Sequence, residues 1–260
     1  MLYGIREEQL FVTGFPLPKE NIGSNLRILK ESLRRRISNL DPRGLYQKKY
    51  MSTLLNYLDD GIPKWRHDRP LTITFAVGGA GAQRDIGVTI LESLHKKIDR
   101  GEISLNLVAG ARQDVYRFYE DAVRKLHFGK KHAGGVQILY AENKNDYFRL
   151  FNKALLTTDI LWTKPSELSF YAGFGLPIIM SPTVGSQEEF NKDWLLSIGA
   201  GFMQDDPRYA NEWLFDWLKS GWLAEAAMNG FLNAPRNGAF HVEEVALHGK
   251  RSEIEDVHLL

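Results

Sequence analysis

The stretch from Asp159 to Asn191, DILWTKPSELSFYAGFGLPIIMSPTVGSQEEFN, constrains the fold of this chain more than any other. Two short apolar runs, Ile160 to Trp162 and Leu176 to Met180, bracket a segment that opens at Pro165-Ser166-Glu167 and reads as helical to Phe174. Strand, helix and strand in so short a span imply a parallel βαβ crossover. In such a unit the helix begins just beyond the carboxyl end of the first strand, which is where open α/β sheets hold ligands.

The same alternation runs along the chain. Leu71 to Val77, Ser104 to Ala109 and Val136 to Tyr140 read as strands. Between them, Asp85 to Ile98 carries Ile86, Ile90, Leu94 and Ile98 at helical spacing, and Arg112 to Leu126 gathers Val115, Phe118, Tyr119, Ala122, Val123 and Leu126 on one face. A helix from Ser24 to about Leu40 has the stripe Leu26, Leu29, Leu33, Ile37 and Leu40, which leaves Arg34, Arg35 and Arg36 for a solvated outer face. Leu10 to Thr13 reads as a short β-prone run, and Tyr46 to Leu58 as helical. Pro207 to Lys219 and Trp222 to Gly230 read as helices whose Trp213, Trp217 and Trp222 pack on the sheet, and His241 to Leu247 as a last helix. The expected fold class is therefore α/β, a doubly wound, Rossmann-like parallel sheet with helices on both faces. It would occupy a single domain over residues 1–247, followed by a charged, flexible tail over 248–260.

Composition narrows the function. Lys plus Arg number 33 against 32 Asp plus Glu, so a net charge of +1 argues against nucleic acid as a partner. Cysteine is absent, which excludes disulfides and thiol catalysis within the chain and is compatible with a cytoplasmic location. No run reaches the roughly 18–20 apolar residues of a membrane span. Peripheral membrane association through the arginines of 34–36 stays open. No metal-ligand cluster or cofactor motif is expected.

Two turns carry candidate chemistry. Thr163, Lys164 and Ser166 place hydroxyls and a cation beside the free backbone N–H groups of a helix start, an arrangement suited to phosphate or pyrophosphate. The run Gly78-Gly79-Ala80-Gly81-Ala82-Gln83 follows a strand, permits close backbone approach to a ligand, and is followed by Arg84. A nicotinamide fingerprint is disfavoured, since Arg84 stands where its third glycine belongs and the next strand ends in Gly110 without an acidic residue. A Walker loop is excluded by the lack of Gly-Lys-Ser/Thr after any strand. Downstream, Ser186 reads as an N-cap with Glu189 as its capping-box partner, leaving Gln187, Glu188 and Asn191 free to bond sugar hydroxyls. Tyr147 and Phe148 are candidates to stack on a base. The lone His132, beside Lys130 and Lys131, is a weak catalytic candidate.

The order of these motifs resembles the donor-binding, C-terminal half of GT-B glycosyltransferases. Thr163-Lys164 and Gly175-Leu176-Pro177 are similar to the plant diacylglycerol galactosyltransferase, while Thr13-Gly14-x-Pro16, Gly78-Gly79 and Gln187-x-x-x-Asn191 are similar to the peptidoglycan N-acetylglucosaminyltransferase. The matches spread over residues 12 to about 201. The resemblance implies a nucleoside diphosphate sugar, with UDP the leading nucleotide, held as substrate without a metal by Gly78, Gly79, Ala80, Gly81, Arg84, Thr163, Lys164, Ser166, Glu167, Gln187, Glu188 and Asn191. It also implies an upstream acceptor-binding domain or chain to supply the catalytic base, so no catalytic residue is assigned here. One departure stands out: the family's ribose-binding carboxylate falls at Phe170, five positions before Gly-Leu-Pro, and Glu167, three residues earlier, is the candidate substitute. A sugar-nucleotide 2-epimerase-like domain and a non-catalytic docking module, with Phe170 and Tyr171 exposed in the cleft, are the alternatives.

Overall fold

The computed structural model describes residues 4–6, 9–58, 69–76, 81, 83–128 and 134–249. The helices before the sheet are α1 (Lys19–Ile22), α2 (Arg27–Leu40), α3 (Leu45–Lys49) and α4 (Met51–Leu58). Then follow β1 (Leu71–Ala76), α5 (Arg84–Asp99), β2 (Ile103–Gly110), α6 (Gln113–Lys125), β3 (Val136–Tyr140), α7 (Lys144–Leu155) and β4 (Ile160–Thr163). A 3₁₀ helix (Glu167–Phe174) leads to β5 (Ile178–Met180), α8 (Ser186–Ser197) and β6 (Gly201–Met203). The chain closes with α9 (Ala210–Ser220), α10 (Trp222–Asn233) and α11 (Gly238–His248).

The six strands form one sheet in the order β3-β2-β1-β4-β5-β6, and every pairing is parallel. The fold is doubly wound, as expected: strand order reverses between β1 and β4, the switch point at which such sheets open a crevice. The central strands are buried along their whole length, as a sheet covered on both faces requires. Phe75 of β1 and Trp162 of β4 meet edge to face at 6.4 Å, and Trp213 of α9 adds a second edge contact to Trp162 at 5.2 Å. Trp217 sits 4.6 Å from Trp213. Trp222, by contrast, is 53% exposed at the start of α10 and does not pack as expected.

The crossover after β4 is a 3₁₀ helix rather than an α-helix, and two glycines show how tightly it is held. Gly175 ends it at φ +66°, where a Cβ would come within 2.5 Å of Leu33. On α10, a Cβ on Gly230 would lie 2.4 Å from the Ala172 carbonyl oxygen, so the backbones touch.

Three local expectations change. The helix from Ser24 is broken by Asn25 and Leu26 at positive φ, and only from Arg27 is it a regular α-helix. Leu10 to Thr13 form no ladder; the following residues clamp instead onto α11, where Gly238 N–H donates to Phe15 O and His241 Nδ1 donates to Thr13 O at 2.8 Å. Arg36 is not on the solvated face but is 2% exposed, donating to Thr158 O and Phe174 O at 2.8 Å and to Gly175 O at 3.2 Å. Burial lowers its pKa to about 10, partly offset by Asp159, so it remains charged at neutral pH. The carbonyls it binds belong to segments entering β4 and β5, which draws a cation inward without an ion pair among the described residues.

Candidate functional site at the carboxyl edge

The candidate residues split into those the fold brings together and those it directs elsewhere. Gln83, at the start of α5, reaches across the switch point: its Nε2 donates to Pro182 O at 2.8 Å and its Oε1 accepts from Ser181 Oγ at 2.7 Å. Lys164, after β4, pairs with Glu188 of α8. Asn191 Nδ2 donates to Pro165 O at 3.2 Å. The start of α5 and the segments after β4 and β5 are thus tied together at the carboxyl edge of the sheet.

Among the residues joined there, Glu188 is the most committed. Only 3% exposed, it binds Lys164 through Oε1 and accepts the Val184 N–H on Oε2 at 2.7 Å. Burial pushes its carboxyl up, but Lys164 and the Val184 amide outweigh that and hold it below the usual value. The capping arrangement therefore differs from the expected one. Gly185 is the N-cap, Ser186 is the first helical residue, and Glu188 reaches back past the cap. Glu189 instead accepts from the Thr183 hydroxyl and pairs with Lys192. Gln187 is exposed.

Ser166 N-caps the 3₁₀ helix by position, yet its side chain makes no cap bond. Its hydroxyl is buried, the residue being 7% exposed, with no hydrogen-bond partner among the described residues. Ser169, one turn on, is 0% exposed and in the same condition. Glu167 is exposed at this helix start.

Other candidates are differently engaged. Thr163 is fully buried and its hydroxyl donates to Ala76 O at 2.9 Å, closing the ends of β4 and β1 rather than facing a ligand. Arg84 turns toward α6, 3.3 Å from Asp114 and 4.6 Å above the Phe118 ring. Tyr147 packs on Phe148 and Phe151 at 5.5 and 5.8 Å, and burial pushes its hydroxyl up to about 12. Phe148 is 53% exposed and keeps a free surface. Gly81 has φ +66°, with its Cβ position 2.9 Å from Val115. Gly78, Gly79 and Ala80, His132 and the tail beyond residue 249 lie outside the described residues.

Phe170, at the place of the family's ribose carboxylate, stacks on Phe15 with centroids 3.7 Å apart and planes 10° from parallel, and Trp194 of α8 meets both rings edge-on. Both Phe170 and Tyr171 are half-buried, not the exposed cleft aromatics expected of a docking module. Phe15 and Gln83 were missed as candidates. For Gln83 the signal was available, an amide directly after a glycine run at a strand's carboxyl end; for Phe15 none was.

Two cavities lie away from the carboxyl edge. One, of about 380 Å³, sits at the amino ends of the strands beside Asn39, Arg69 and Leu71; the other, of about 320 Å³, lies between β6 and α10 beside Phe202 and Trp222. Among the described residues there is no cluster of His, Cys, Asp or Glu that could hold a metal, and no helix is long and apolar enough to cross a membrane.

Sheet order and strand direction together define a doubly wound, all-parallel α/β protein. The chain belongs to the family described as Domain of unknown function (DUF6938), which matches residues 51–208. No curated protein matches its sequence. Among solved structures it is similar to MurG of Acinetobacter baumannii, at 21% identity and TM-score 0.47, covering 69% of this chain and 50% of that one. It is also similar to MnaA of S. aureus, solved with UDP, at 12% identity and TM-score 0.45, covering 73% and 50%. A third is the glycosyltransferase SnogD of Streptomyces nogalater, at 18% identity and TM-score 0.41, covering 72% and 45%. The chain spans about half the length of each of these proteins.

Proposed function

We propose that this chain is the sugar-nucleotide donor-binding domain of a GT-B type glycosyltransferase, taking a UDP-sugar as substrate and completed by an upstream acceptor-binding domain or chain. The observation that carries the reading is the joining of the start of α5 to the turns after β4 and β5 through Gln83, Lys164–Glu188 and Asn191. Such an arrangement offers a cation and helix-start amides to a diphosphate without a metal, and preorganised donors of this kind stabilise the charge that develops on a departing nucleotide. Glu167 and Gln187 are exposed and Asn191 partly so, which leaves them free for sugar and ribose hydroxyls in this reading, and Phe148 would offer an aromatic face to a base. Residues 1–247 would act as one domain, in a cytoplasmic setting where sugar nucleotides are available.

A thermal-shift series with nucleoside diphosphates and their sugars tests the reading. Stabilisation by UDP or a UDP-sugar, abolished in Lys164→Ala, is the expected result; a flat panel on folded protein refutes it. Transfer is then separated from epimerisation by product analysis on the chain joined to its acceptor domain. A non-catalytic docking module is the second reading, favoured by Val184 and Phe190, which are 69% and 78% exposed on the rim beside Glu188.

A further inference from the structure

In the structure, the place that best suits a phosphate is already taken by a carboxylate of the chain itself. Lys164 supplies the cation, Val184 a backbone N–H on the turn just before the N-cap Gly185 of α8, and Glu188 spans the two with one oxygen on each. A cation beside a backbone N–H of a turn is an arrangement with which proteins hold phosphate oxygens. We propose that Glu188 is a specificity-determining residue, an internal stand-in for phosphate that an incoming diphosphate must displace from Lys164 and the Val184 amide.

An independent observation points the same way. Ser166, two residues from Lys164, keeps a buried hydroxyl without a partner among the described residues, although buried hydroxyls are ordinarily bonded. A carboxylate has two oxygens, and here both are spent. A phosphate brings more acceptors, enough for Lys164, Val184 and a further donor on the same turn. The turn itself is anchored, since Asn191 holds Pro165 O and Ser166 N–H donates to Lys164 O at 2.8 Å. Glu188 is therefore the group that yields.

The consequence is selectivity. Separating a buried carboxylate from its partly exposed lysine has a cost, so phosphate or pyrophosphate alone gains little by entering, whereas a ligand that adds contacts through a sugar or a base can offset the displacement. The inference rests on the donor-binding reading and concerns which members of the diphosphate class the site admits.

Isothermal titration of wild type and Glu188→Gln with UDP, inorganic pyrophosphate and uridine tests it. Glutamine keeps the size of the side chain and can accept from Val184, but it releases Lys164. The expected result is at least tenfold tighter binding of UDP and pyrophosphate by Glu188→Gln, with uridine unchanged and the gain lost in the Lys164→Ala/Glu188→Gln double variant. Should wild type bind UDP and Glu188→Gln bind it equally or more weakly, the stand-in role is overturned while donor binding survives. Should neither folded protein bind any nucleoside diphosphate, both fall. If Glu188→Gln does not fold, Glu188→Asp, whose shorter reach loosens the grip on Lys164, must show tightening in the same direction or the proposal fails.

Discussion

The two edges of the sheet each hold a buried carboxylate paired with a cation, and they treat it differently. At the amino edge, Asp159, the residue before β4, accepts from Arg69 at 2.6 and 2.7 Å, from Asn39 at 3.0 Å and from Thr72 N–H at 2.9 Å. Around it, Thr74 and Thr158 share a 2.7 Å hydroxyl bond, Asn106 donates to Thr74 at 3.0 Å, and Arg36 caps nearby carbonyls. At the carboxyl edge, Glu188 is held by Lys164 and by backbone amides just before α8, and a buried hydroxyl with no partner among the described residues stands on the lysine's own turn. A saturated network belongs to the scaffold, because each donor depends on the others. An incomplete one is poised to exchange an internal partner for an external one.

The comparison can be broken at its stronger side first. Asp159→Ala removes the shared acceptor of Arg69, Asn39 and the Thr72 amide, and is expected to cost about 3–5 kcal/mol, a fall in melting temperature of about 10 °C. A calorimetric melt measures it; an equal loss in Lys164→Ala would erase the distinction between the edges. For Lys164→Ala the expected stability loss is smaller, about 1–2 kcal/mol, since the lysine is a quarter exposed, while diphosphate binding disappears.

Ser166→Ala sharpens the contrast. Deleting an unbonded buried hydroxyl should leave the melting temperature unchanged or slightly higher, yet weaken UDP binding several-fold in titration. A clear drop in stability would mean that the hydroxyl already serves the fold.

The smallest effect is on pH. Because the Glu188 carboxyl is held below its ordinary value of 4.5, its contribution to stability is complete above that pH and is lost as pH falls through its lower folded value. The difference in melting temperature between wild type and Glu188→Gln should therefore be constant from neutral pH down to about 5 and shrink below it. A difference that grows on acidification would reverse the assignment.

Much of the architecture could be read from local pattern. The apolar runs of β1, β2, β3 and β4, and the stripes of α5 and α6, come within a residue or two of the observed elements, because a sheet covered on both faces demands continuous burial and its helices demand one greasy side. The placing of Lys164, Ser166 and Glu188 at a strand's carboxyl edge followed from the same alternation. What periodicity could not supply was the direction of individual polar side chains. Arg36 lies in a run of arginines and differs from its neighbours only because its face of α2 meets the carbonyls entering β4 and β5. Glu188 and Glu189 are adjacent carboxylates, and only the rotation of α8 against the turn after β4 decides which one takes Lys164.

The chain's own order of residues determined the alternation of strand and helix, the parallel sheet and the edge at which polar turns gather, since these rest on burial periods and on the short reach of a crossover. The tertiary structure alone decided that Gln83 spans the switch point, that Phe15 lies flat on Phe170, and that Glu188 rather than Glu189 takes Lys164. Those contacts join segments far apart in sequence, and their geometry is settled only when whole elements pack.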